Sequence, residues 1–111
     1  MIISANNLSI EQRTGERLGT STRLLEEFQM HGKAKVFARI VLKPGSKTPV
    51  HKHEGTFEAL YFLAGTGRVD DNGTMRHVKA GDVNFTDNGE SHGIENIGDT
   101  DLEYIALVIY L

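Results

Sequence analysis

Turn signals recur along this chain too often for long helices. Pro44-Gly45, His53-Glu54-Gly55-Thr56, Gly65-Thr66-Gly67, Asp71-Asn72-Gly73, Ala80-Gly81-Asp82, Asp87-Asn88-Gly89-Glu90 and Gly98-Asp99-Thr100-Asp101 fall roughly every 6 to 12 residues. Each combines glycine, proline or a short polar side chain, the residues that reach turn dihedrals at least cost. The segments between them run 33–43, 57–64, 67–70, 74–78, 83–86, 92–96 and 102–111. Several are rich in β-branched and aromatic residues, and none shows a sustained helical period. Phe57 to Ala64 is apolar throughout, and its flanking glycines and aromatics favour a strand. Many short strands between frequent turns predict an all-β chain folded as an antiparallel sandwich or barrel. The 12 glycines are spread without a period, which fits turns and excludes a collagen repeat.

A chain of 111 residues has room for one modest core. We read residues 31–111 as the folded body and residues 1–30 as an N-terminal arm of the same domain, with a short strand able to cross to a partner subunit. Within the arm, Arg13, Thr14, Gly15, Glu16 and Arg17 read as solvent-facing, while Leu24, Leu25 and Phe28 read as docking residues. The formal net charge of -3, with no block of arginine or lysine, gives no electrostatic reason to expect nucleic acid as a partner. No cysteine is present, so disulfides and thiolate metal sites are excluded. The longest apolar run, Ile105 to Ile109, falls far short of a membrane span. The start of the chain lacks the pattern of a secretory signal, and we expect a cytoplasmic protein without a membrane partner.

The five histidines include one informative pair, His51-Lys52-His53. Residues two apart in an extended chain point to the same side, so both imidazoles can reach one ion. Glu58 follows one turn later, and a folded sheet would bring in His92. Three imidazoles and a carboxylate suit Mn, Fe, Co, Ni, Cu or Zn better than Ca or Mg, and leave one or two coordination places for water or substrate. HxH pairs also arise by chance on strand surfaces, so the pair alone is a weak signal.

Two spaced motifs strengthen it. Gly45, His51, His53, Glu58 and Gly65 are separated by five, one, four and six residues, and Gly81, Gly89, His92 and Asn96 form a second set. This arrangement resembles the two motifs of the cupin superfamily. Asp87 stands where the second motif usually has proline, a change in a turn and not in a ligand. The resemblance covers roughly half the chain. It implies a double-stranded β-helix or jelly-roll barrel that holds one divalent transition metal ion on His51, His53, Glu58 and His92. It also implies a homodimer, with the last strand and the N-terminal arm as the expected contact elements.

Other residues have plainer alternatives. With Glu58 inward, strand period turns Leu60 and Phe62 inward as well, either as an apolar wall beside the ion or simply as core. Val83 and Phe85 are expected to extend that wall. Tyr104 shares a face of the last strand with Leu102, Ala106, Val108 and Tyr110, and is read as a hydrogen-bond donor to a ligand or as an interface residue. Arg39 lies mid-strand among apolar neighbours, where it would bind a substrate carboxylate or reach out to solvent. Glu58 has a second possible role, as a base that leaves the metal during turnover. Asn96 is expected to tie a turn.

The resulting expectation is a metal-dependent enzyme on a small oxygenated or carboxylated molecule. Dioxygenase or isomerase chemistry comes first, with decarboxylase or lyase chemistry also open. The alternatives are a non-catalytic module that binds a small molecule and a structural homodimer. An open cavity beside the ion would favour the first two, and an interior plugged by Leu60, Phe62 and Phe85 the last.

Overall fold

A computed structural model describes residues 1–111, and ten strands carry its fold. They are β1 (Ser9–Arg13), β2 (Gly19–Arg23), β3 (Ala34–Leu42), β4 (Lys47–Lys52), β5 (Thr56–Ala64), β6 (Thr66–Asp71), β7 (Thr74–Lys79), β8 (Val83–Thr86), β9 (Ser91–Asn96) and β10 (Leu102–Tyr110). The helical pieces are three short 3-10 turns, Ala5–Asn7, Gly15–Arg17 and Glu27–Met30. No helix is long and apolar enough to cross a membrane. One sheet has the order β1-β2-β3-β10-β5-β8 and the other β4-β9-β6-β7, with every pairing antiparallel. From β3 onward the chain passes repeatedly between the two sheets, a mostly-β jelly-roll arrangement.

Strand period places the core between the sheets. On β10, Leu102, Tyr104, Ala106 and Val108 are buried and the intervening residues are half-buried. On β5, Thr56, Glu58, Leu60 and Phe62 are buried. They meet Ile40 and Leu42 of β3, Val69 of β6 and Ile94 of β9. Each such fully buried large side chain contributes about 1.5–3 kcal/mol of hydrophobic stabilisation. Asn72-Gly73 forms the two-residue loop between β6 and β7, with both residues at positive φ as a type I′ hairpin turn requires. Asn96 ties a turn through its Nδ2, which donates to the carbonyls of Leu42 and Thr100 at 2.9 and 2.8 Å.

Three features differ from the sequence expectation. The segment between Pro44-Gly45 and Thr56 is not all turn, because β4 runs through it. Its polar composition and Pro49 hide the strand, and its edge position tolerates a residue without an N–H. The arm carries two strands, and β1 and β2 extend the larger sheet beyond β3. On β8 the inward face is polar: Asn84 and Thr86 are buried, whereas Val83 and Phe85 are 64% and 54% exposed. Phe85 and Val83 therefore point away from the interior they were expected to line.

Candidate metal centre

β4 and β9 are neighbours, and a bulge between Thr48 and His51 sets His51 directly opposite His92. Gly93 permits this approach: a Cβ at that position would lie 2.9–3.1 Å from Val50 atoms on the passing strand. His53 follows β4 immediately, and its backbone N–H donates to the Glu90 carbonyl at 2.9 Å. Glu58 enters from the opposite sheet. One ligand atom from each of His51, His53, Glu58 and His92 lies within 4.8 Å of the others.

The four groups converge tightly. His92 Nε2 is 3.2 Å from both His51 Nε2 and His53 Nε2. Glu58 Oε1 is 2.7 Å from His92 Nε2 and 3.1 Å from His53 Nε2. His92 is 1%, Glu58 8% and His53 9% exposed. The far sides of the rings are held as well. His51 Nδ1 lies 2.8 Å from the Pro49 carbonyl, which only accepts, so Nδ1 donates and the Nε2 lone pair faces the cluster. His92 Nδ1 lies 2.9 Å from Asn84 Oδ1 and 2.8 Å from Thr86 Oγ1, and donating there leaves its Nε2 lone pair inward too. Thr56 Oγ1 is 3.3 Å from His53 Nδ1. Burial lowers the pKa of His53 below its ordinary value; Glu58 opposes the shift, while His92 and His51 add to it. A neutral His53 is the form that donates a lone pair to a metal.

Converging lone pairs and a carboxylate repel one another unless a cation lies between them. The donor set therefore fits a divalent transition ion, with second hydrogen bonds fixing the tautomers of His51 and His92. The polar face of β8 is explained by the same need, since Asn84 and Thr86 are the acceptors that hold His92.

A cavity of about 470 Å³ opens beside the cluster and is bordered by all four ligand residues. Leu60, Ile40, Ile94 and Tyr104 form part of its wall. The Tyr104 hydroxyl is 3.5 Å from Thr48 Oγ1, and burial pushes its pKa up to about 12, so it stays a phenol. Arg13, Arg17, Lys35 and Lys52 also line this space, against the carboxylates of Glu54 and Glu58, a formal excess of two positive charges with the imidazoles neutral.

The remaining sequence candidates lie elsewhere. Phe62 is fully buried and packs on Tyr104 at 5.4 Å between ring centroids, in the core and not on the cavity wall. Arg39 points to the outer face, where its Nη2 donates to Glu103 at 2.8 Å, so it does not face the cavity. Phe85 is likewise on the outer face, against Phe57. Conversely, Arg13 and Arg17, solvent-facing by the sequence pattern, border the site. Asn84 and Thr86 were also missed, although polar residues alternating with Val83 and Phe85 on a short strand are the signal of a polar inward face.

Residues 38–110 match the family model of the cupin domain. The chain belongs to the cupin family. It is 47% identical to an oxalate-binding protein of Thermotoga maritima, over all of this chain and 95% of that protein. It is 29% identical to an oxalate decarboxylase of Bacillus subtilis over 63% of this cupin but 20% of that enzyme. A crystal structure of a Thermotoga maritima protein, described as a predicted oxalate decarboxylase, superposes with a TM-score of 0.90 at 47% identity, covering both chains completely. The cupin domain of Schizosaccharomyces pombe Cnp3 shares the fold at 18% identity and a TM-score of 0.79, over 97% of this cupin and 72% of that chain.

Proposed function

We propose that His51, His53, Glu58 and His92 hold one divalent transition metal ion, and that this cupin binds a small carboxylate there, with oxalate the first to test. The observation that carries the reading is the convergence of four ligands on a cavity with excess positive charge in a chain whose net charge is -3. A cationic cleft in an acidic protein concentrates anions locally. The 47% identical relative named for binding oxalate supports the same ligand class. The bound ion would supply Lewis-acid attraction for a carboxylate oxygen. Leu60, Ile40 and Ile94 would limit the ligand's size and keep water out, and the Tyr104 phenol would donate a hydrogen bond to it.

Turnover is the second reading, favoured by Glu58 and Tyr104 bordering the same cavity. Glu58 would accept a proton after leaving the ion, and Tyr104, a phenol up to pH of about 12, would act as donor and not as base. Dioxygenase-, isomerase- and decarboxylase-type reactions all fall within this reading. Titration calorimetry of metal-loaded protein with oxalate, followed by product analysis after long incubation, tests both. Saturable binding with intact oxalate is the expected result. Heat changes no larger than dilution would overturn the ligand assignment, and conversion of oxalate would establish turnover.

We also propose that the chain forms a homodimer through the outer face of the larger sheet. Tyr61, Leu63, Val83 and Phe85 are 39–64% exposed there, beside half-buried Ile105 and Leu107. Contiguous apolar faces of this kind mark association surfaces, and a two-fold pair is the commonest cover. β10 is paired on both edges, by β3 and β5, so it would contribute its face and not an edge. Light scattering should give twice the 12.3 kDa chain mass; a monomer at micromolar concentration would refute the proposal.

A further inference from the structure

We infer that Arg13 and Arg17 form a guanidinium clamp that makes the site selective for short dianions, by taking the carboxylate that the metal centre does not hold. The inference rests on the carboxylate reading above and adds the residues that set its charge preference. Both arginines belong to the hairpin of β1 and β2: Arg13 ends β1, and Arg17 ends the 3-10 turn Gly15–Arg17 that leads to β2. That turn packs against β4, the strand that carries Thr48 and His51. The hairpin tip is therefore held at the border of the cavity, beside the strand that supplies His51.

The hairpin is fixed to the body. Arg13 is paired with Gly19, and Gly19 lies so close to β3 that a Cβ would sit 1.8 Å from the Val41 carbonyl oxygen. The Leu18 carbonyl accepts from the Lys43 N–H at 2.9 Å. A loop pinned on both sides has little backbone ordering left to lose on binding, and only the two arginine side chains remain to be fixed.

The two guanidiniums are also free to act. Arg17 takes part in none of the ion pairs. Arg13 uses only Nε, on the largely exposed Glu11 at 3.2 Å, so its Nη atoms have no protein acceptor. Exposed pairs of that kind are weak and readily exchanged. A planar fork of donors matches a carboxylate in two parallel hydrogen bonds. With one carboxylate of a short diacid on the metal side, the second would meet these forks; a monocarboxylate has nothing to offer them. The hairpin also lies outside residues 38–110, the part matched to the shared family domain. Ligand choice would thus be written on a segment separate from the metal ligands.

The test uses full-length protein loaded with one equivalent of Mn(II), titrated with oxalate and, separately, with acetate at pH 7. Arg17→Gln, Arg17→Lys and the double variant R13Q/R17Q are compared with the parent, and Mn(II) affinity is measured for each. The expected result is a loss of oxalate affinity of about 10- to 100-fold in R17Q, the range for a charged hydrogen-bonded contact. R13Q/R17Q should lose more, R17K less, while acetate and Mn(II) affinities change less than about 3-fold. If the parent binds carboxylates and R13Q/R17Q keeps the full preference for oxalate over acetate, the clamp is overturned and the metal-carboxylate reading stands. If Mn-loaded parent binds neither anion, both fall together.

Discussion

Replacing Thr86 and Asn84 tests whether the polar face of β8 exists to hold His92. Thr86 is fully buried, and its Oγ1 lies 2.8 Å from His92 Nδ1; Asn84 Oδ1 lies 2.9 Å from the same nitrogen. Asn84 Oδ1 only accepts, so it keeps the proton on Nδ1 and the lone pair on Nε2, and the Thr86 hydroxyl can share that proton. Thr86→Val therefore removes one of two hydrogen bonds, about 1 kcal/mol, and should weaken metal binding by roughly 5- to 10-fold. Adding Asn84→Leu leaves a buried N–H without a partner, at about 1–3 kcal/mol more, and frees the ring to take the wrong tautomer. The double variant should thus lose more than the sum of the single losses, by at least about 1 kcal/mol of coupling. Chelator competition measures the affinity directly. Thermal unfolding gives a second readout, since a tenfold weaker metal contact removes about 1.4 kcal/mol of metal-dependent stabilisation, about 5 °C of melting temperature at this chain length. A folded N84L/T86V variant with parental metal affinity would refute the reasoning.

Other consequences are equally specific. Because burial holds the folded-state pKa of His53 below its ordinary value, the unfolded chain takes up that proton first as pH falls; stability from this group is full above about pH 6.5 and declines below it, and metal affinity should decline in the same direction. Melting curves and metal titrations between pH 5 and 8 check the sign, and a rise in apo-protein stability on acidification through this range would contradict it. Phe62→Ala, in the fully buried core, should cost about 3–5 kcal/mol by denaturant unfolding, whereas Phe85→Ser should change chain stability little and instead weaken self-association. Gly93→Ala should destabilise by about 1–3 kcal/mol, because its Cβ would press on Val50 at 2.9 Å, and should disturb His92 beside it; parental stability and metal affinity would show that the β4–β9 approach is loose.

Much of this arrangement is legible in the sequence because it rests on local patterns. The inward set Glu58, Leu60 and Phe62 follows from strand period, and the Asn72-Gly73 turn from its dihedral demands. The grouping of His51, His53, Glu58 and His92 follows from spacing together with family resemblance. What was illegible depends on partners far away in sequence. Pro49 and two lysines disguise β4, whose edge position only the assembled sheet reveals. Val83 and Phe85 look like core until Asn84 and Thr86 are seen to be needed inside for His92. Nothing local distinguishes Arg13 and Arg17 from solvated arginines; their place at the cavity comes from the docking of the β1–β2 hairpin on β3 and β4. Arg39 is the reverse case, since its partner Glu103 lies 64 residues away in sequence, on the neighbouring strand β10, and turns it outward.

The most direct test of the account is the metal content of the protein purified without chelator, and again after dialysis against added Mn(II), Fe(II), Co(II), Ni(II), Cu(II) or Zn(II), beside His92→Ala and the double variant H51A/H92A. Close to one first-row divalent ion per chain is expected in the parent, with a folded but metal-poor H51A/H92A variant. A parent that retains no such ion under either condition, or an H51A/H92A variant that binds as well as the parent, would contradict it.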